Sequence, residues 1–306
     1  MARKHGGPNG YGHIQDTRPH GRKPVSHLLF GAERKISIAE TPKSVDLRSY
    51  GPGIMDQGHT STCYAHAPSA AIFGTAKGQG VQLAPWFPRA VPSQKGIADA
   101  VRMIARSKKL PPGFQGELPK FVDEGAMPVD VIEAIGTMGI RARRPLTPDD
   151  RNSDVDPKTI NDELGMFDDL GEERQTLLPG EHFLDEMASD YVAQLRATLA
   201  AKIWVCSGIF CDTRGRRSVE EWDPTTGPLS EPDYNDPDGG GHYIVICGYD
   251  TMTDGTTEWI WQNSWSARWG LSGYGRGDAR WLAGTSNVLP CTVQLGPVAG
   301  PVARAA

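Results

Sequence analysis

Residues 44–71 read SVDLRSYGPGIMDQGHTSTCYAHAPSAA, and the fold turns on how this stretch divides. Its first part ends in DQGHTST, residues 56–62, whose Gly, Asp, Ser and Thr favour a turn. From Cys63 the run becomes alanine-rich, YAHAPSAAIFGTA, and predicts a helix stopped by Gly78. Cys63 therefore stands at a helix N-terminus, where the macrodipole and the first-turn N–H groups favour a thiolate. Cys206, Cys211 and Cys247 instead fall in apolar, strand-like runs, IWVCSGIFC and YIVICGY, where a buried thiol acts as a small hydrophobe. The five cysteines, Cys291 included, contain no CxxC pair and no zinc-finger spacing, so no metal or other cofactor is expected.

A second locality lies near the other end. HYIVICGY begins at His242, WIWQNSW begins at Trp259, and the polar segment TMTDGTT separates them, a β-hairpin pattern. Unbulged pairing about a turn near residue 253 or 254 puts His242 roughly opposite Asn263. Tyr243, Val245 and Cys247 would face one side and His242, Ile244 and Ile246 the other, one face core and the other a cleft wall. A cysteine capping a helix, a histidine starting a strand and an asparagine across the hairpin supply a nucleophile, a base and an orienting group.

These blocks resemble the papain family of cysteine peptidases. SVDLRSYGPGIMDQGHTSTCYAHAPSAA is similar to its glutamine, cysteine and helix segment, and GGGHYIVICGYD to its histidine strand. WIWQNSWSARWGLSGYGRG matches its asparagine and tryptophan block, down to the spacing of Asn263, Ser264, Trp265, Trp269, Gly270, Gly273 and Tyr274. The resemblance covers residues 43–78 and 240–277 and is weak between them. It implies an α+β, two-lobed papain-like fold, a helical lobe and an antiparallel β-barrel-like lobe with the active site in the cleft between. It also implies roles: Cys63 as nucleophile, His242 as acid and base, Asn263 holding the ring, Gln57 as oxyanion donor and Trp265 shielding the His–Asn hydrogen bond. For Trp261, Trp265 and Trp269, core packing is the expected first role.

The sequence departs from the family at several points. Ser61 and Thr62 stand where Gly-Ser is usual, adding bulk beside the oxyanion site, and Tyr64 replaces a common Trp. Pro68 removes one helical hydrogen bond and predicts a kink. The upstream cysteines that staple the helical lobe are missing, consistent with a reducing compartment. Between the blocks, KGIADAVRMIARSK aligns Ile97, Val101 and Ile104, and PVDVIEAIGTMGI aligns Val131, Ile135 and Met138, as lobe core. Ser189 could cap a helix holding Val192, Leu195 and Leu199, leading into the strand IWVCSGIF. Asp150, Asn152, Asp154 and Asp156 alternate like a calcium loop, but Val155 and Asn161 occupy its Gly and Glu positions. Residues 213–240, rich in Asp, Glu, Pro and Gly, form a long loop before His242, read either as a lid or subsite wall or as a surface excursion.

The chain has 306 residues, enough for two lobes, with 36 Gly and 24 Pro. A net charge of -5 argues against nucleic acid as a partner. No run approaches a membrane span, no apolar signal segment follows Arg3 and Lys4, and the cellular address stays open. Residues 1–45 carry eight Lys or Arg against three acids, whereas residues 146–186 carry thirteen acids against three bases. The expected organisation is a basic extension over 1–42, a helical lobe over 43–185 with the acidic insertion, a β lobe over 186–290 and a tail over 291–306. The extension resembles short bacterial proregions and is read either as a cover of the cleft through Tyr11, Leu28, Leu29 and Phe30 or as a flexible arm or an address for a partner particle. The expected function is a cysteine endopeptidase acting on polypeptides through a thioester. The alternatives are an inactive papain-fold scaffold and a cell-wall or isopeptide amidase.

Overall fold

The computed structural model describes residues 41–81, 190–214 and 218–290, with shorter pieces at 23–24, 91–94, 96–98, 100–101, 125–127, 130–131, 134–135, 177–179, 182–183 and 293–295. The 1–42 extension, the acidic insertion with its calcium-like spacing, Ile104, Met138, Ser189 and Cys291 fall wholly or largely outside the described residues.

Six strands form one antiparallel sheet: β1 (Ser44–Asp46), β2 (Val205–Cys211), β3 (Gly240–Thr251), β4 (Thr257–Gln262), β5 (Tyr274–Gly277) and β6 (Ser286–Pro290). Their order is β5-β4-β3-β2-β6, and β1 lies beside the far half of β3, continuing the edge that β2 begins. Three helices are described whole: α1 (Cys63–Gln79), α2 (Tyr191–Ala200) and α3 (Ala279–Ala283). The architecture is α+β, with α1 packed against β3.

Almost every side chain of α1 is buried, which its small residues make possible. Gly74 faces the indole of Trp204, itself fully buried and anchored by its backbone N–H donating to Thr75 Oγ1 at 2.9 Å. The helix runs unbroken through Pro68. It also passes Gly78, where a stop was expected, and ends at Gly80, whose φ of 70° is the left-handed cap that glycine adopts at low cost. Gly78 instead allows close approach to the Lys202 side chain. In α2, Leu195 and Leu199 are buried but Val192 is exposed, because the helix packs through the side carrying Tyr191, Gln194 and Leu195 and Val192 lies off it. Ile97, Val101, Val131 and Ile135 lie in the core as their periodicity implies.

The hairpin departs from the unbulged pairing. Thr251 to Gly248 pair with Thr257 to Ile260, but Ile246 pairs with Trp261 and Val245 with Gln262, so Cys247 is an extra residue, a β-bulge. Extending the ladder one step sets Asn263 level with Ile244, two residues along β3 from His242. Residues 242–249 are all buried, so neither face forms an open cleft wall.

At Gly74 an added Cβ would lie 2.3 Å from the Trp204 ring. Overpacking of this kind costs about 1–3 kcal/mol, more than the roughly 1 kcal/mol that alanine gains over glycine in a helix. Gly74→Ala should therefore lower the thermal unfolding midpoint of the full chain by several degrees; an unchanged or raised midpoint would mean that the helix and Trp204 do not meet this closely.

Candidate active site

The β-bulge sets the geometry of the histidine. Side chains alternate along a strand, so a one-residue shift exchanges the faces of one partner relative to the other. Continuing the pairing of the hairpin end without the bulge would set Asn263 against Val245, on the opposite face from His242. With Cys247 inserted, Asn263 joins the His242 face. His242 Nε2 donates to Asn263 Oδ1 at 2.8 Å, and the Ser264 backbone N–H donates to the same oxygen at 2.8 Å. An amide oxygen only accepts, so Nε2 carries the proton and a neutral ring keeps Nδ1 as its base.

Trp265 roofs this bond. Its ring stacks on His242 with centroids 4.4 Å apart and 27° between planes, and Trp269 meets Trp265 edge-on at 5.8 Å. Trp261 continues the cluster to Trp269 at 5.0 Å and to Trp281 at 5.6 Å. His242 and Trp261 are fully buried and Trp265 nearly so. The aromatic block thus serves both as core and as the wall that keeps water from the His–Asn pair.

Gln57 is tied to the same segment. Its backbone N–H donates to the Ser264 carbonyl at 2.9 Å, its Oε1 accepts from Ser264 Oγ at 2.5 Å, and Asp56 forms a β-bridge with Trp265. One amide hydrogen on Gln57 Nε2 goes to the Thr60 carbonyl at 2.7 Å. With both ends of the amide held, its second hydrogen points in a fixed direction. The roles of Ser264 and Thr60 escaped the sequence reading: Ser264 was counted only in a motif's spacing, and the contact joins residues 207 positions apart.

Cys63 opens α1 after Thr62, whose carbonyl accepts from Ala65 and His66 N–H at 2.9 and 3.2 Å. In β2, Ile209 pairs with His242 and Cys211 with Gly240. Burial pushes the Cys211 thiol well above its ordinary pKa, and the neighbouring acidic groups Asp212 and Glu220 act in the same direction. His66 and Ala67 of α1 line a pocket together with Tyr243, Asn263 and Ser264, which sets the first turns of α1 beside the start of β3. Burial, with Asp46 adding, also pushes Cys247 up, so these two thiols stay neutral while serving as core. Among the described residues no cluster of three or more His, Cys, Asp or Glu could hold a metal ion.

The loop before His242 is tied down at its described residues by two carboxylates. Asp212 accepts from Val219 N–H at 2.9 Å and Asp233 N–H at 3.1 Å. Asp236 accepts from Thr213 N–H at 2.6 Å, Thr213 Oγ1 at 2.8 Å and Asp238 N–H at 3.1 Å, with Arg214 alongside. Trp269 Nε1 donates to the Val219 carbonyl at 3.0 Å, so the loop rests on the aromatic block.

Comparison with known proteins bears on this arrangement. Residues 226–283 match the family model described as papain family cysteine protease, a segment that contains His242, Asn263 and Trp265. No curated protein matches the sequence. Among solved structures the chain is similar to xylellain, a cysteine protease from Xylella fastidiosa, with a TM-score of 0.60 at 20% identity over 96% of this chain and 100% of that one. It is also similar to digestive procathepsin L 3 of Tenebrio molitor, at TM-score 0.54 and 17% identity, covering 93% of this chain and 76% of that one. Procathepsin B S9 from Trypanosoma congolense gives 0.54 and 17% over 92% and 87%. The chain is papain-like in fold. Within that papain-like fold, Cys63 and Gln57 lie outside the matched segment, and Gln57 reaches it through Ser264.

The hydrogen bonds from Thr213 lower the pKa of Asp236 below the ordinary carboxylate value, with Asp238 N–H and Arg214 acting in the same direction. A depressed native pKa contributes stability that is present above the unfolded value near 3.9 and is lost as pH falls through the native one. The loop of the wild type should resist neutral proteases and become cleavable by an acid-active protease below about pH 4. Asp236→Ala should be cleaved between residues 213 and 239 already at neutral pH. Equal resistance of the two proteins at neutral pH would show that this carboxylate does not hold the loop.

Proposed function

We propose that the chain is a cysteine endopeptidase in which Cys63 is the nucleophile, His242 the acid and base, Asn263 the orienting residue and Gln57 an oxyanion donor. The observation that carries this reading is the buried hydrogen bond from His242 Nε2 to Asn263 Oδ1 beneath Trp265, beside the first turns of α1, which Cys63 opens. That bond commits the Nε2 proton to Asn263 and leaves Nδ1 to exchange protons with sulfur, leaving group and water.

In the proposed cycle the Cys63 thiolate attacks a peptide carbonyl carbon, forming a C–S bond and an oxyanion. The Cys63 backbone N–H and Gln57 Nε2 donate to that oxygen, a donor of this kind contributing about 3 kcal/mol to the transition state. As the C–N bond breaks, the His242 imidazolium gives its Nδ1 proton to the departing amine. Neutral His242 then takes a proton from water, whose oxygen attacks the thioester and releases the acid.

Cys63, Gln57 and His242 each have no solvent-exposed surface, so a substrate reaches the sulfur only after a covering group moves. We assign that cover to the basic extension, residues 1–42, whose charge complements the acid-rich loop before His242. Two of the structurally similar proteins carry the name procathepsin, in keeping with a latent form.

An epoxysuccinyl or vinyl-sulfone probe should label the wild type and spare Cys63→Ala. Labelling no faster than that of the other thiols would favour a papain-fold scaffold without turnover, and cleavage of peptidoglycan fragments in preference to a peptide library would favour an amidase. Removing residues 1–40 should raise turnover of a peptide reporter, whereas unchanged turnover would reject the extension as the cover.

A further inference from the structure

Gln57 precedes Cys63 by six positions, and three hydroxyl residues, Thr60, Ser61 and Thr62, stand between them. Gln57 and Thr60 are fully buried and Thr62 is 4% exposed. Gln57 and Thr60 hold each other reciprocally: Thr60 Oγ1 donates to the Gln57 carbonyl at 2.6 Å, and Gln57 Nε2 donates to the Thr60 carbonyl at 2.7 Å. The backbone alone closes this turn more loosely, with the Thr60 N–H donating to the Gln57 carbonyl at 3.3 Å. A carbonyl only accepts, so the single hydrogen of the Thr60 hydroxyl is spent on Gln57. Thr62 Oγ1 lies 2.6 Å from Thr60 Oγ1 and is therefore the donor between them. Thr62 is the N-cap residue of α1, where a threonine hydroxyl ordinarily accepts from a first-turn N–H, yet it makes no such bond. Its hydroxyl is turned to Thr60 instead, while its carbonyl accepts from the N–H groups of Ala65 and His66 and from His66 Nδ1 at 2.9 Å.

We propose that Thr60 and Thr62 are positioning residues for the oxyanion donor, their hydroxyls forming a one-way relay from the start of α1, through Thr60, to the Gln57 backbone. Each hydroxyl hydrogen in the relay has one destination, so the turn has one hydrogen-bonded arrangement. That arrangement sets the Thr60 carbonyl where it orients the Gln57 amide, whose other end Ser264 Oγ holds. The relay thereby links the helix that Cys63 opens to the side chain proposed to meet the oxyanion. In so buried a place a lost partner costs more than the bond it made, because no water replaces it. The relay stands on its own hydrogen bonds; its consequence for turnover rests on the peptidase reading.

In the full chain, Thr60→Val keeps the shape of the side chain and removes the hydroxyl. It should lower kcat about tenfold with KM little changed, and weaken by about the same factor the binding of a peptide aldehyde, whose adduct with sulfur presents its oxygen as an oxyanion does. The rate at which Cys63 reacts with a pyridyl disulfide, an exchange that forms no oxyanion, should stay that of the wild type. Thr60→Ser, which keeps the hydroxyl, should restore both kcat and aldehyde binding. Loss of disulfide reactivity in step with aldehyde binding would mean a general loosening of the site, and unchanged aldehyde binding in the folded variant would mean that the hydroxyl positions nothing; either overturns the proposal. Thr62→Val gives up no helix cap and removes the first donor of the relay, so it tests the relay where the Thr60 variant does not fold: aldehyde binding should weaken, and no change in it would overturn the relay. A wild type that binds no aldehyde and whose Cys63 reacts no faster than its other thiols would remove the peptidase reading and this role together. A reactive wild type whose folded variants are unaltered would remove this role alone.

Discussion

The hydrogen bond between His242 Nε2 and Asn263 Oδ1 constrains the rest of the site, and it depends on a parity. Two strands present side chains to alternate faces, so a histidine and an asparagine on neighbouring strands meet only if the register between them is even. The turn at residues 252–256 sets a pairing that continued unchanged would give the wrong parity. Cys247 corrects it by one residue. Gly248 beside the bulge leaves room for β1: an added Cβ would stand 2.4 Å from the Val45 carbonyl oxygen. The same short stretch therefore admits the sixth strand and turns Asn263 toward His242.

Once Asn263 is on the histidine face, its neighbours acquire consequences. Ser264 holds Gln57 by backbone and side chain at once, and Asp56 bridges to Trp265. A single neutral hydrogen bond contributes only about 1 kcal/mol net, but several between the same two segments fix orientation far better than one. The glutamine loop and the asparagine segment move together as one piece against the sheet. Helix α1 is held independently, by Gly74 against Trp204 and by Thr75 Oγ1 on the Trp204 N–H. Cys63 thus opens a helix whose position is set by packing, whereas Gln57, Asn263 and Ser264 are oriented by hydrogen bonds.

The parts legible in the sequence are those whose physics is local. A turn-rich segment passing into alanine marks the start of α1 at Cys63, and two apolar runs about TMTDGTT mark β3 and β4. The helix end was misread by two residues because Gly78 and Gly80 are equally good stops in isolation, and only the packing against Lys202 lets the helix pass the first. The bulge was not legible, since YIVICGY alternates equally well with or without an extra residue. Nor was the Ser264–Gln57 clamp, which no local pattern encodes. Val192 fits an apolar helical stripe, yet nothing in its neighbourhood says that the helix packs instead through Tyr191 and Gln194 of the same turn.

Three cysteines of this fold illustrate how position decides chemistry. Cys63, Cys211 and Cys247 are all fully buried, and burial by itself favours a neutral thiol, as it does at Cys211 and Cys247. A buried sulfur can be a nucleophile only where fixed positive ends compensate for lost water: the first turn of a helix and a protonated ring. Cys63 heads a helix whose first turns lie beside the start of β3, whereas the strand cysteines head no helix and have acidic groups near them, Asp212 at Cys211 and Asp46 at Cys247. The full burial of Cys63 keeps water from the sulfur and would keep a substrate from it as well. The burial that strengthens attraction between sulfur and imidazolium is thus the same burial that must be relieved before a peptide can enter, and the site's reactivity and its access are opposed consequences of one closed surface.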